Sequence, residues 1–141
     1  MFCCKCVVYG IDYDGNAGLS FTIIDATSGI NIFNFVDVSD YVVTEGDEIT
    51  ARGEIDFYNG LLELKVDSIK VNSSGNTLAK PTLVAKPTED TESEFIQLEK
   101  VWIADGTTEW PDNGNVLLTN DAMDTFQIRI DKDIPGIVGE A

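Results

Sequence analysis

A chain of 141 residues with 43% hydrophobic side chains is long enough for one ordinary domain, or two small ones, with a packed core. Its 25 Asp and Glu against 9 Lys and Arg give a formal net charge of −16, which repels phosphate backbones and anionic membranes. The sequence contains no histidine, which excludes imidazole general bases, Ser-His triads and His-ligated metals.

The cysteines lie together at the start of the chain, as Cys3, Cys4 and Cys6. A structural zinc site needs four ligands, usually Cys or His, and neither a fourth Cys nor a His is present. We therefore interpret the three thiols as part of the first strand or of its frayed start.

Neither a membrane span nor a signal peptide is expected. No stretch approaches the roughly 20 apolar residues that cross a bilayer. Residues 1–10 lack a charged start followed by a long apolar stretch and a small-residue cleavage site. Two interpretations stay open: a cytoplasmic protein, or a piece of a larger exported one.

The first third of the chain predicts three strands, over residues 6–10, 19–25 and 30–35. A loop rich in Asp and Gly separates the first two, and a short turn ending at Gly29 separates the second and third. Residues 36–44 show no clear period and predict either a short helical turn or an ordered loop.

Residues 47–71 predict one long β-hairpin, because apolar and polar side chains alternate on both sides of Asn59-Gly60. Asn-Gly tolerates positive φ at both central positions of a type I′ turn, which joins two strands tightly. Asp67-Ser68 interrupts the second alternation, so we expect a bulge there. We expect Glu54 and Glu63 to face each other on the outer surface of the hairpin.

Five strands, with or without a helix between the third and fourth, have the order of the small Greek-key barrel called the OB-fold, which we predict for residues 1–72. Residues 73–92 are rich in Ser, Thr, Asn and Pro and poor in large apolar side chains, which is typical of a linker.

Residues 93–141 predict a three-stranded antiparallel β unit, with strands over 95–103, 115–119 and 125–130. We expect Trp102 in its core and Trp110 to pack rather than to bind sugar. Three strands are marginal alone. The unit therefore packs on the barrel, pairs with a second copy of the chain through open strand edges, or is the front of a truncated second OB-like module.

The stretches GLSFTIIDATSGINIFNF and VTEGDEITARGEIDFYNGLLELKVDSIKV resemble OB-fold modules of exported, multidomain proteins of Bacteroidetes. The residues that carry the resemblance are Ile24-Asp25-Ala26-Thr27 with Gly29-Ile30, Glu45-Gly46-Asp47, and Tyr58-Asn59-Gly60. Many such proteins also carry a nuclease domain. The resemblance implies a non-catalytic accessory module outside the inner membrane, at the cell surface or secreted, in an all-β protein.

Calcium is the one metal for which the sequence offers candidate ligands. Asp12, Asp14 and Asn16 place side-chain oxygens at alternate positions, the spacing that begins a calcium loop. Gly15 and Ile23 do not follow the rest of that pattern, and turn chemistry alone also explains an Asp-, Asn- and Gly-rich loop. Apart from calcium, no cofactor is expected.

OB-folds usually bind ligands across their second and third strands and the adjoining loops. Candidate ligand-binding residues here are the aromatic Phe33, Phe35 and Tyr58, with Tyr13 as a further candidate, and the cationic Arg52 and Lys65.

Two functions follow. The leading hypothesis is a non-enzymatic accessory or interaction module that presents the barrel to a neighbouring domain or a protein partner. The alternative is an oligonucleotide-binding domain that uses aromatic stacking, which the acidic composition disfavours.

Overall fold

The structure, a computed structural model, describes residues 1–15 and 17–136. Within them it contains ten strands and a single 3-10 turn, Glu89–Thr91, so the chain is all-β as predicted. The chain divides into two compact units. The first unit is Met1–Lys80 with Glu92–Phe95, and the second is Pro81–Thr91 with Ile96–Ala141. The stretch predicted as a linker contributes residues to both.

The first unit is built from five strands: β1 Phe2–Tyr9, β2 Leu19–Ile24, β3 Gly29–Asn34, β4 Glu48–Tyr58 and β5 Leu61–Ser73. Each strand pairs with two others, so the sheet closes into a barrel in the order β1-β2-β3-β5-β4. All contacts are antiparallel except that between β3 and β5. The predicted five-stranded sheet is therefore confirmed.

The β4–β5 hairpin matches its prediction closely. Asn59 and Gly60 both have positive φ, 51° and 95°, as a type I′ turn requires. The register shifts between Arg52 and Gly53, where Asp67 is the extra residue of β5, so the predicted bulge is also found. The expected facing of Glu54 and Glu63 is wrong, because a two-residue turn places Glu54 opposite Lys65.

The barrel core consists of side chains that alternate along the strands. Its largest fully buried members are Phe21, Leu19, Ile23, Ile32, Ile49, Leu64 and Val8. β1 begins four residues before its predicted start, because Phe2–Val7 pair with residues 48–53 of β4. Cys6 is buried in this core, whereas Cys3 is exposed.

The segment between β3 and β4 is an ordered loop. None of the residues 35–47 is helical, so the helical alternative is wrong there. The loop is held by a buried pair, in which the Tyr41 hydroxyl donates to Oδ2 of Asp47 over 3.1 Å. Tyr41 also contacts the Phe21 ring, with centroids 5.9 Å apart. A ring packed on the core can fix this loop without a helix.

The described residues of the second unit form five short strands: β6 Thr82–Val84, β7 Ile96–Leu98, β8 Val101–Ile103, β9 Gly114–Asn120 and β10 Thr125–Ile130. β8, β9 and β10 form the predicted three-stranded antiparallel sheet, in the order β10-β9-β8. β7 instead pairs with β6 in parallel.

Two predictions for the second unit need correction. The single strand predicted over 95–103 is divided at Lys100, whose φ of 52° no continuous strand accommodates. Trp102 is 51% exposed rather than buried. The core of this unit is formed by Val116, Leu118 and Ile130, and Trp110 packs against it as expected.

Candidate functional site

The predicted aromatic ligand surface lies on the outside of β3. Phe33 is half-buried and Phe35 is 76% exposed, and their rings meet edge to face with centroids 5.1 Å apart. The parallel register pairs Ile32 with Leu64, so Lys65 on β5 lies beside Phe33 one residue further along. The register therefore places Lys65 on the strand next to this pair of aromatic rings.

Tyr58 does not join this group. Tyr58 pairs with Leu61 at the turn. Asn31 pairs with Glu63, two residues beyond Leu61, and Phe35 lies four residues beyond Asn31, which gives a separation of six residues along the strands. Six residues along a strand correspond to about 20 Å. Tyr58 and Phe35 are therefore at opposite ends of the sheet surface.

The charge of this surface is unfavourable for phosphate. Lys65 and Arg52 are its two predicted cations, and Glu54 lies directly opposite Lys65. Asp56 and Glu63 form the next facing pair toward the turn. The carboxylate that faces Lys65 and the acidic pair beyond it weaken the attraction of the surface for a phosphate backbone.

The candidate calcium ligands lie in the loop between β1 and β2. Asp12 Oδ1 accepts hydrogen bonds from the backbone N–H groups of Asp14, at 3.0 Å, and Ser20, at 2.9 Å. These bonds fix the loop against the start of β2 without an ion. Asn16 lies outside the described residues, so a calcium site here stays a prediction.

The described residues contain no group of three or more Cys, Asp and Glu side chains gathered as a metal site requires.

Two of the N-terminal thiols, Cys4 and Cys6, are linked by a hydrogen bond. That bond lowers the pKa of Cys4, while the interaction with Cys4 and burial raise the pKa of Cys6. The contact between the two thiols therefore shifts their pKa values in opposite directions, down for Cys4 and up for Cys6.

A second surface of the first unit forms a cleft of about 200 Å³. We call it the β1–β2 cleft. Three aromatic rings and two carboxylates dominate its lining: Tyr9, Tyr13, Phe95, Glu45 and Glu94. Drug-sized ligands usually occupy pockets of about 300–1,000 Å³, so this cleft fits a single side chain or a small molecule.

The β1–β2 cleft lies on the outer face of the barrel. Phe21 and Ile23 of β2 point into the core, so Thr22 and Ile24, which line the cleft, face outward. Tyr9 of β1 pairs directly with Thr22. The end of β1 and the middle of β2 therefore supply one wall.

Segment 92–95 supplies another wall. Glu94 Oε1 accepts a hydrogen bond from the Gly29 N–H over 3.0 Å, and the Phe95 ring lies 5.6 Å from that of Tyr9, tilted by 58°. Glu92 Oε1 accepts from the Leu62 N–H over 3.1 Å. A Cβ at Gly29 would lie 1.8 Å from the Ser93 carbonyl oxygen, so this close approach requires glycine.

Segment 76–80 and the loop before β4 complete the site. The Tyr9 hydroxyl accepts a hydrogen bond from the Ala79 N–H over 2.9 Å, which fixes the chain next to Leu78, a lining residue. Glu45 Oε2 accepts from the Gly10 N–H over 2.7 Å. Both cleft carboxylates are thus oriented by backbone amides.

Sequence reasoning missed most of this site. The sequence offers Tyr13 as a candidate, but its pattern places Glu94 and Phe95 in the second β unit. The one available signal was Phe95 itself, the only large apolar side chain in residues 85–95. Nothing local connects it with Tyr9, 86 positions earlier.

No protein-family model, curated protein or solved structure matches this chain. The part of the chain that the structure describes has no helix of the length and apolarity needed to cross a membrane.

Proposed function

We propose that the first unit is an OB-fold. Its strands β1, β2 and β3 form a meander, and β4 returns to lie beside β1, which is the Greek-key arrangement. β5 then closes the barrel between β3 and β4. Five strands closed in this way support the OB-fold interpretation.

The function that this geometry supports best is that of a non-enzymatic accessory module that docks a partner polypeptide. The observation that carries the proposal is the β1–β2 cleft, a small aromatic recess beside the loop between β1 and β2. OB-folds commonly use that loop for ligands. By its resemblance, the module belongs to an exported multidomain protein of Bacteroidetes and works at the cell surface or outside it.

A second candidate function is oligonucleotide binding on the β3–β5 surface. The exposed Phe35 ring, its edge-to-face contact with Phe33 and the neighbouring Lys65 favour it. Stacking on such rings stabilises single strands independently of sequence. The acidic neighbours and the charge of −16 make it the weaker candidate.

Titration of labelled single-stranded DNA and RNA, followed by fluorescence anisotropy at two salt concentrations, separates the two functions. We expect no salt-sensitive binding, because few phosphates could be neutralised. Binding that weakens steeply with salt and is lost in Phe35→Ala would favour the oligonucleotide function. Tyr58→Ala is the matched aromatic control, since Tyr58 lies at the other end of the surface.

Selection from a displayed library of random peptides tests the docking function directly. Thr22→Trp fills the β1–β2 cleft from the outer face of β2, and Ser68→Trp adds the same ring at an exposed position on β5. We expect selected peptides to bind the native protein and Ser68→Trp but not Thr22→Trp. Peptides that bind all three proteins equally, or failure to select any peptide, would count against docking in this cleft. Circular dichroism verifies that each variant is folded.

Self-association is a separate proposal for the second unit. Among the described strands, β8 and β10 are the outer strands of its three-stranded sheet. Unpaired strand edges favour pairing with another chain. Light scattering coupled to size exclusion, with reductant present, should show dimers at high concentration. A monomer throughout would exclude this mode of pairing.

A further inference from the structure

The β1–β2 cleft combines features that are expected of a cation site. Aromatic rings and carboxylates dominate its lining, and none of the described residues that line it is Lys or Arg. We propose that the cleft binds a cationic side chain, that of lysine or arginine, from a basic segment of a partner polypeptide. This inference rests on the proposed docking function and names its ligand.

The aromatic rings of the cleft can attract a cation. The face of an aromatic ring carries partial negative charge and attracts an ammonium or guanidinium group within about 6 Å of its centre. Tyr9 and Phe95 lie against each other at a tilt of 58°, so their faces are not parallel and do not cover each other fully. Phe95 is also partly exposed to solvent.

The carboxylates of the cleft can accept hydrogen bonds from a cationic group. Glu45 uses Oε2 to accept from the Gly10 N–H, and Glu94 uses Oε1 to accept from the Gly29 N–H. Among the hydrogen bonds of the described residues, none involves the other oxygen of either group. Each carboxylate is therefore oriented by one oxygen and keeps the second for a donor from a ligand.

The volume of the cleft matches that of one long amino-acid side chain. A closed cavity of about 150 Å³ accommodates a benzene molecule, so about 200 Å³ has room for one long side chain. A folded domain or an oligonucleotide could insert only a single group. A lysine or arginine side chain also has the apolar stem that Ile24 and Leu78 can cover.

Other ligand classes fit less well. Calcium takes six to eight oxygen ligands, whereas two carboxylates and three aromatic rings offer too few. An anion would meet two carboxylates and no cation in the lining. The overall charge of −16 also steers a basic segment, rather than an acidic one, toward the protein.

Nuclear magnetic resonance titration of the isotope-labelled chain tests the inference. The probes are N-acetyl-lysine methylamide and N-acetyl-arginine methylamide, each compared with its neutral analogue, the side-chain-acetylated lysine and the citrulline derivative. The amide signals of Gly10 and Gly29 report on the cleft, because each N–H donates to one of its carboxylates. We expect both signals to move with the cationic probes and not with the neutral ones.

Matched variants locate the binding. Glu94→Gln keeps an oxygen for the Gly29 N–H but removes the charge, and should weaken cation binding by up to about fivefold. Phe95→Leu keeps apolar volume but removes the ring, and should weaken it by about two- to fivefold. Glu54→Gln makes the same charge change on the exposed outer face of β4 and should leave binding unchanged.

The outcomes distinguish this inference from the proposed function. If neither cation binds more tightly than its neutral analogue, or if Glu54→Gln weakens binding as much as Glu94→Gln, the cation site is excluded. Selected peptides that depend on the cleft but still bind after loss of every Lys and Arg would also exclude the cation site. That result would leave the proposed docking function supported. Peptides that ignore Thr22→Trp would exclude docking.

Discussion

Gly29→Ala should detach segment 92–95 from the barrel and abolish the β1–β2 cleft without unfolding the barrel. An added Cβ would lie 1.8 Å from the Ser93 carbonyl oxygen and 2.7 Å from its carbon. Both are backbone atoms, so no side-chain rotation relieves the collision. The segment must move away.

The free energy at stake follows from the contacts that this movement breaks. Two backbone N–H groups lose carboxylate acceptors at 3.0 and 3.1 Å. Because these sites are partly exposed, each bond contributes about 1 kcal/mol. The contact between Tyr9 and Phe95 adds about 0.5–1.5 kcal/mol. The sum is about 3 kcal/mol, which corresponds to roughly a hundredfold change in the opening equilibrium of the segment.

Native-state hydrogen exchange measures this opening residue by residue. The Leu62 amide, which donates to Glu92, should lose protection. The Val66 amide, which donates to the buried Asn34 side chain, should keep it. Equal loss of protection at both amides, or protection kept at both, would contradict the predicted detachment of segment 92–95.

Gly75→Ala is the control for the added methyl group. Gly75 has a φ of 70° and no atom within 4 Å of an added Cβ, so the substitution introduces backbone strain without a collision. It should lower the free energy of unfolding by about 1–2 kcal/mol. The difference in protection between the Leu62 and Val66 amides should stay as it is in the native protein.

Three further predictions concern the barrel. Tyr41→Phe removes the one donor that the described residues supply to the buried Asp47 carboxylate. It should lower the free energy of unfolding by about 1–3 kcal/mol in urea titrations, and a loss below about 0.5 kcal/mol would contradict this role. Leu64→Ala should cost about 2–5 kcal/mol in the same assay, because its side chain is fully buried; a cost near zero would refute the core assignment. Cys6→Ala should raise the pKa of Cys4, because the hydrogen bond that stabilises the thiolate is lost. Alkylation of Cys4 should then require higher pH. Cys6→Ser keeps a hydrogen-bond donor and should shift the pH dependence of alkylation less. An unchanged pH profile in Cys6→Ala would exclude an influence of Cys6 on the pKa of Cys4.

The β4–β5 hairpin was predictable because its determinants are local. Alternation over residues 47–71 sets which side chains face the core, and Asn59-Gly60 sets the turn. The bulge at Asp67 was visible as a break in the alternation. The same locality explains why the hairpin of β9 and β10 was found within one residue of its predicted limits.

Errors arose where a neighbour in space decides the outcome. β1 extends to Phe2 because β4 offers it a pairing partner, although its first residues have no clear strand pattern. β7 pairs with β6 rather than continuing into β8, because Lys100 turns the chain. Trp102 is exposed because its neighbours Val101 and Ile103 pack against the core of the second unit, so Trp102 lies on the opposite face of β8.

The sequence by itself determined the all-β class, the five strands of the first unit and the acidic charge. Alternation and turn residues act locally, and net charge is a sum over the whole composition. The β1–β2 cleft was decided only by the tertiary structure. It needs Glu94 to reach Gly29 across 65 positions and Phe95 to reach Tyr9. Such contacts depend on the path of the chain after β5, for which residues 73–92 carry no periodic signal.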